Sequence, residues 1–321
     1  MWRDIESCEL PHPMFMKHAQ ALQQYVEDAL AGCEPKVTRV PGPSGVGKSS
    51  LIATLARAYP MTRVNGRLQA PVLIVRVPSL ATEKQLPACV LESLGLTVPG
   101  SQTGRALLTM MLEQLKLAGT RMVIFDEISH LVDEGSRVPP RAASDWLKSL
   151  LDRARVALMM CGIPRLERLF SSNEQLRRRS RPKREFLPYD ACDAEQMKAY
   201  IACVTSYARM FSAAGYPISV PPRVLTQQTY LLTGGLIGVL SDFMRELARR
   251  VTRDAPRAVT YTDCQMVLEE VSHAGSPHLL AFQDSAAEDM DVPAAALKQA
   301  YVHVLTTNST QVPMRKKSGG K

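Results

Sequence analysis

The chain has 321 residues, of which 45% are hydrophobic, 22% charged and only 6% aromatic, and its formal net charge is +8. That length suits two packed domains, and the shortage of aromatics argues for a core of Leu, Val, Ile, Ala and Met in helices and a modest sheet rather than an all-β design. Seven cysteines without a Cys-x-x-Cys pair, a polar N-terminal stretch and no apolar run longer than Val156 to Ile163 argue against a disulfide framework, a signal peptide and a membrane span, so a cytoplasmic protein with reduced thiols is expected.

In chain order, Phe15, Ala19, Leu22, Val26 and Leu30 recur at helical spacing and predict an amphipathic first helix. "KVTRV" reads as a strand entering a glycine-rich loop, with a helix from Lys48 to about Tyr59. "PVLIVRVP" is a second strand, followed by helical segments near 82–95 and 103–118. "RMVIFDE" is a third, and its uninterrupted apolar centre fits a strand covered on both faces of a parallel sheet. A helix over 141–152 leads to "VALMMCG", and "REFLPY" is expected as a fifth strand. Beyond Asp190 the pattern is helical only, near 193–213, 221–232, 236–251 and 261–273, with Leu236, Leu240, Phe243, Leu247 and Val251 on one face. The alternation followed by helices predicts an α/β parallel sheet and a small all-α second domain. Boundaries are expected at 1–190, 191–275 and 276–321, the last an extension with one helix near 292–305 and a partly disordered basic tail.

The basic residues sit in two places. Arg177, Arg178, Arg179, Arg181, Lys183 and Arg184 crowd one run, Arg315, Lys316, Lys317 and Lys321 crowd the tail, and the remainder is nearly neutral. Concentrated charge of this kind suits a polyanion, and equally suits a solvated surface.

"GPSGVGKSS" fits the pattern G-x-x-x-x-G-K-[ST] between a strand and a helix. Gly42, Gly45 and Gly47 allow the backbone to curl so that the N–H groups of Gly42, Pro43-Ser44, Gly45, Val46, Gly47, Lys48, Ser49 and Ser50 (Pro43 excepted) form an anion nest at a helix N-terminus. Lys48 can reach β- and γ-phosphates, and the Ser49 hydroxyl can ligate Mg2+. "MVIFDE" brings Asp126 to the same sheet edge to hold Mg2+ through water, with Glu127 placed to orient and deprotonate an attacking water. These are the Walker A and Walker B elements of a P-loop ATPase. No guanine-reading N/T-K-x-D motif is present, His130 reads as a packed or capping residue, and the other five histidines show no metal-ligand spacing.

The Asp-Glu pair, the strand–helix order and the helical second domain resemble the AAA+ group: a P-loop parallel sheet flanked by helices, then a small all-α lid. Within it, "PHPMF", "VPGPSGVGKSSLI", "RMVIFDEISHL" and "MMCGIPRLERLFSSNEQLRRRS" are similar to the TniB/TnsC transposition ATPases over roughly residues 10–250. The resemblance implies ATP and Mg2+ as cofactors, self-assembly into a ring or filament, double-stranded DNA as a partner, and recruitment of a transposase with an adaptor of the TniQ type. It also places an arginine finger before the fifth strand, with Arg179 first and Arg178 second in register, since Ser180 stands where relatives carry an aromatic. Arg181, Lys183 and Arg184 are left for contacts across an oligomer, for DNA phosphate or for solvent. Channel-facing loops would be Ser79 to Lys84 and Asp133 to Arg141, offering Lys84, Arg137 and Arg141 to DNA. Two sensor positions depart from the group, Ile163 after Gly162 and Val239 with the first arginine only at Arg245, which implies slow or partner-dependent hydrolysis. Alternatives are a helicase loader of the DnaC/IstB sort and a signalling ATPase that binds no nucleic acid.

Overall fold

The computed structural model describes residues 5, 12–79, 81–133, 136, 138–171, 173–271, 281–282 and 291–309. Six strands occur among them: β1 (Val37–Pro41), β2 (Thr62–Val64), β3 (Arg67–Gln69), β4 (Val72–Arg76), β5 (Met122–Asp126) and β6 (Ala157–Gly162). Four pair in parallel in the order β1-β6-β5-β4, and β2 and β3 form a separate antiparallel hairpin. All six residues of β6 and the first four of β5 are buried, as central strands covered on both faces must be. Each fully buried Val, Leu or Ile there contributes about 1.5–3 kcal/mol. Because the strands are parallel, the segments that follow β1, β4, β5 and β6 all leave from one edge of the sheet.

The chain divides into two compact units, one of residues 13–42 and 47–187, the other of 1–12, 43–46 and 188–321. The first holds the sheet with α1 (Pro13–Leu30), α2 (Lys48–Ala58), α3 (Gln85–Ser93), α4 (Gly104–Leu117), α5 (Pro140–Ser149) and the short α6 (Arg168–Ser171) and α7 (Glu174–Arg178). In α1 the buried face is Phe15, Leu22, Val26 and Ala29, whereas Ala19 and Leu30 of the expected stripe are only half-buried.

The expected fifth strand is not one. Arg181, Arg184 and Phe186 donate their N–H groups to the carbonyls of Val37, Arg39 and Pro41 at 2.8 Å each. The segment thus follows the edge of β1 without forming a regular ladder. Pro182 has no N–H to give. Between the first two bonds it also carries one residue more than β1 does, which breaks the register.

In the second unit α8 (Ala194–Ala213), α9 (Pro222–Thr233), α10 (Ile237–Val251), α11 (Tyr261–Val271) and α12 (Ala294–Ser309) pack together. The expected stripe of α10, from Leu240 through Phe243 and Leu247 to Val251, is fully buried. Phe282 of the extension stacks on Phe243 with ring centroids 5.5 Å apart, and its N–H bonds to Oε1 of Gln228 at 2.8 Å. Gly234 and Gly235 adopt φ of +55° and +87°. A Cβ at Gly235 would lie 2.2 Å from the Tyr189 carbonyl oxygen, and one at Gly234 would lie 2.5 Å from Val304 of α12. Only glycine allows these backbones to approach so closely.

Candidate functional site

The loop after β1 curls because Gly45 and Gly47 occupy left-handed conformations, with φ of +77° and +105°. Gly47 caps the start of α2, whose first-turn N–H groups and dipole therefore point into the curl. Gly42, expected to share in this curl, does not. It closes the end of β1 instead, donating its N–H to the Gly162 carbonyl at 3.0 Å. Its own carbonyl accepts a 2.8 Å bond from Lys48 Nζ, which holds the ammonium across the loop. Burial lowers the Lys48 pKa to about 8, against the opposing pull of the Asp126 and Glu127 carboxylates. A cation that has lost water but faces negative groups is prepared for an anionic ligand. Pro43 and Val46 are buried, whereas Ser44, Gly45, Ser49 and Ser50 are exposed.

Strand β5 delivers Asp126 and Glu127 to the same edge. The Ser49 hydroxyl donates to Asp126 Oδ2 at 3.3 Å, and Asp126 Oδ1 accepts the Glu127 N–H at 3.0 Å. Burial raises the Asp126 pKa, with Glu127 adding to the effect. A hydroxyl and a desolvated carboxylate so disposed suit a hard divalent cation of the Mg2+ type, whose charge would favour the ionised acid. Glu127 itself has φ of +56°, a left-handed conformation uncommon for a residue with a side chain.

A residue that sequence reasoning overlooked completes this corner. Arg76, the last residue of β4, is in register with Asp126 and places Nε 3.0 Å from Glu127 Oε2. The signal was an arginine closing an otherwise apolar strand, but its partner depends on strand register. Ser129 was likewise missed: its Oγ accepts the Ile163 N–H at 3.4 Å, and a Cβ on Gly162 would lie 3.1 Å from it. Ile163 thus offers this region only its backbone. Cys161 is buried beside Lys48 and Asp126, and burial pushes its thiol up to about 12, so it stays protonated. His130 bonds to the Val77 carbonyl at 2.9 Å, a packing role as expected.

Within the second unit, which includes loop residues 43–46, the start of α10 rests on Gly45. The Gly238 N–H donates to the Gly45 carbonyl at 2.8 Å, and a Cβ added at Gly45 would lie 3.1 Å from Val239 Cγ2. Val239 therefore stands over the loop, and Arg245 pairs with Asp242 at 3.1 Å.

The basic run is neutralised inside the chain more fully than its composition suggested. Arg178 pairs with Glu174 at 2.7 Å, Arg179 with Asp152, Arg181 with Asp28 at 2.7 Å and Lys183 with Glu185 at 2.5 Å. Arg181 and Arg184 also lie over the Tyr25 ring, 4.2 and 5.7 Å from its centroid. Of the residues expected to meet DNA, Lys84 bonds to the Gly100 carbonyl at 2.7 Å, Arg141 is exposed, and Arg137 lies outside the described residues. No described helix is long and apolar enough to cross a membrane.

The family described as "Bacterial TniB protein" matches residues 11–186. Cdc6p from Pyrobaculum aerophilum superposes with a TM-score of 0.58 at 13% identity, covering 82% of this chain and 68% of that one. The Aeropyrum pernix ORC2 protein, solved in ADPNP and ADP complexes, gives 0.59 at 13% identity, covering 95% and 84%. A Walker-type ATPase of Pyrococcus abyssi gives 0.52 at 15% identity, covering 79% and 71%. No curated protein matches. At these identities the likeness establishes the fold: an AAA+ parallel sheet flanked by helices with a C-terminal helical domain.

Proposed function

The chain belongs to the TniB family, and from that premise we propose that it binds and hydrolyses ATP with Mg2+ and, as an assembly on double-stranded DNA, presents that DNA to a transposase through an adaptor of the TniQ type. The observation that carries the nucleotide reading is the convergence of Lys48, Ser49, Asp126 and Glu127 at one sheet edge, beneath a loop curled by Gly45 and Gly47. Residues 44–50 hold the phosphates with backbone N–H groups, and Lys48 leaves the Gly42 carbonyl for the β- and γ-phosphates. Ser49 and Asp126 hold Mg2+, which when bound neutralises charge on the phosphate oxygens. Glu127 orients the attacking water and takes its proton. Arg179 exchanges Asp152 for the γ-phosphate of a neighbouring copy, with Arg178 as the alternative finger.

Two features favour slow or partner-stimulated turnover. Glu127 is paired with Arg76 and must be released before it can act as a base. The sensor positions offer only the Ile163 backbone and the apolar Val239. Lys84, Arg137 and Arg141 supply phosphate contacts that are indifferent to sequence and weakened by salt.

The test is binding and assembly of purified protein with a non-hydrolysable ATP analogue on duplex DNA, single-stranded DNA and no DNA. Nucleotide-dependent assembly on duplex is expected. Preference for single strands would replace the reading with a helicase loader, and nucleotide binding with no DNA affinity would replace it with a signalling ATPase.

A further inference from the structure

The hairpin of β2 and β3 has no part in the site above. Asn65 and Gly66 both take positive φ, +50° and +77°, the backbone of a two-residue turn that matches strand twist and fixes register. Residues 62–67 are all exposed, and only Leu68 packs back onto the sheet's core. The hairpin ends at Gln69 just before β4 begins at Val72. It therefore lies at the start of that strand, at the sheet edge opposite to the one where β1, β4 and β5 end and the phosphate loop emerges.

Its charge is one-sided. No Asp or Glu occurs between Glu34 and Glu83, while Arg63 and Arg67 flank the turn. Among the described residues neither arginine makes an ion pair or side-chain hydrogen bond, in contrast to Arg178, Arg179 and Arg181. Val64 faces Arg67 and Leu68 faces Arg63 across the hairpin, so the two guanidinium groups stand on opposite faces of the ribbon. Diverging cations cannot converge on one carboxylate cluster. With no carboxylate nearby to compete, they match the spaced phosphates of a duplex backbone, and the rigid turn reduces the ordering cost on binding.

We propose that this hairpin is a second contact for duplex DNA, gripping backbone phosphates with Arg63 and Arg67 at the sheet edge opposite to the phosphate loop. The inference rests on the duplex-binding reading above. It is tested with full-length protein, a non-hydrolysable ATP analogue and a mixed-sequence duplex titrated between roughly 50 and 200 mM salt. Arg63→Ala/Arg67→Ala should weaken binding about 10-fold at the low end and reduce the log–log salt slope by about 2, since each phosphate contact contributes close to one. Nucleotide affinity and thermal midpoint should not change, and Arg63→Lys/Arg67→Lys should recover most of the slope. A double-alanine protein equal to the parent in affinity and slope overturns the hairpin contact and leaves the duplex reading intact. A parent that binds nucleotide but no duplex overturns both. Loss of polyglutamate binding with duplex binding retained would assign the hairpin to an acidic protein and overturn the proposal.

Discussion

The phosphate loop and the basic run at 177–184 are both dense in functional residue types, yet the chain treats them oppositely. In the loop, curvature aims backbone N–H groups and Lys48 at a common point, and the lysine's hydrogen bond to the loop itself goes to a neutral carbonyl. In the run, each of Arg178, Arg179, Arg181 and Lys183 has a carboxylate in its own chain. A carbonyl is released at small cost when a phosphate arrives, whereas a paired carboxylate competes with any anion. Density of charge therefore says less about ligand binding than the identity of the resting partner.

That contrast can be broken most directly at Arg179. If it leaves Asp152 to serve a neighbouring copy, Arg179→Ala should reduce turnover by about 1000-fold with ATP affinity of the isolated chain retained. Mixing it with Glu127→Gln protein should restore part of the activity at mixed seams. Steady-state ATPase assays of each protein and of the mixture decide the point, and a variant with parental turnover would remove Arg179 from the chemistry. Next in size, Lys48→Ala should weaken ATP binding by about 10- to 100-fold, the loss of one charge-assisted contact. Calorimetric affinities test this, and unchanged binding would contradict the cradle.

The smallest effect sharpens the comparison by pH. With its pKa near 8, Lys48 is largely neutral in the free protein above that pH, and phosphate should restore its charge. ATP binding is then accompanied by uptake of up to one proton at about pH 9 and by almost none from this group well below 8. Calorimetry in buffers of different ionisation enthalpy measures it; zero uptake at about pH 9 would deny the shift. The same displacement makes the unfolded chain hold more protons than the native one between about 8 and 10.5. Over that window this group's contribution to stability increases with pH.

How much could be read in advance follows from where each feature's partners lie. The curl at Gly45 and Gly47 is local, and β5 shows its burial in its own composition, so both were legible. The stripe on α10 was legible for the same reason. Arg76 was not, because its pairing with Glu127 exists only once β4 and β5 align. The hairpin escaped notice despite Asn65-Gly66, since its three-residue strands are exposed almost throughout and lack a clear alternation of apolar and polar residues. "REFLPY" misled in the other direction: its composition suits a strand, but Pro182 and the extra residue upstream prevent a ladder. Asp152, Asp28 and Tyr25, the partners of Arg179, Arg181 and Arg184, are remote in sequence and no local reading of charge could have named them, whereas Glu174 and Glu185 lie beside Arg178 and Lys183.

The surplus residue beside β1 has a geometric consequence. In an unbroken strand, positions three apart project to opposite sides, so Arg181 and Arg184 could not both cover the same tyrosine. The insertion resets the phase between them and turns both guanidinium planes toward Tyr25. Deleting Lys183 would leave Arg181 and Arg184 two positions apart in a regular strand, where both project to one side, so both guanidinium groups should stay on the ring.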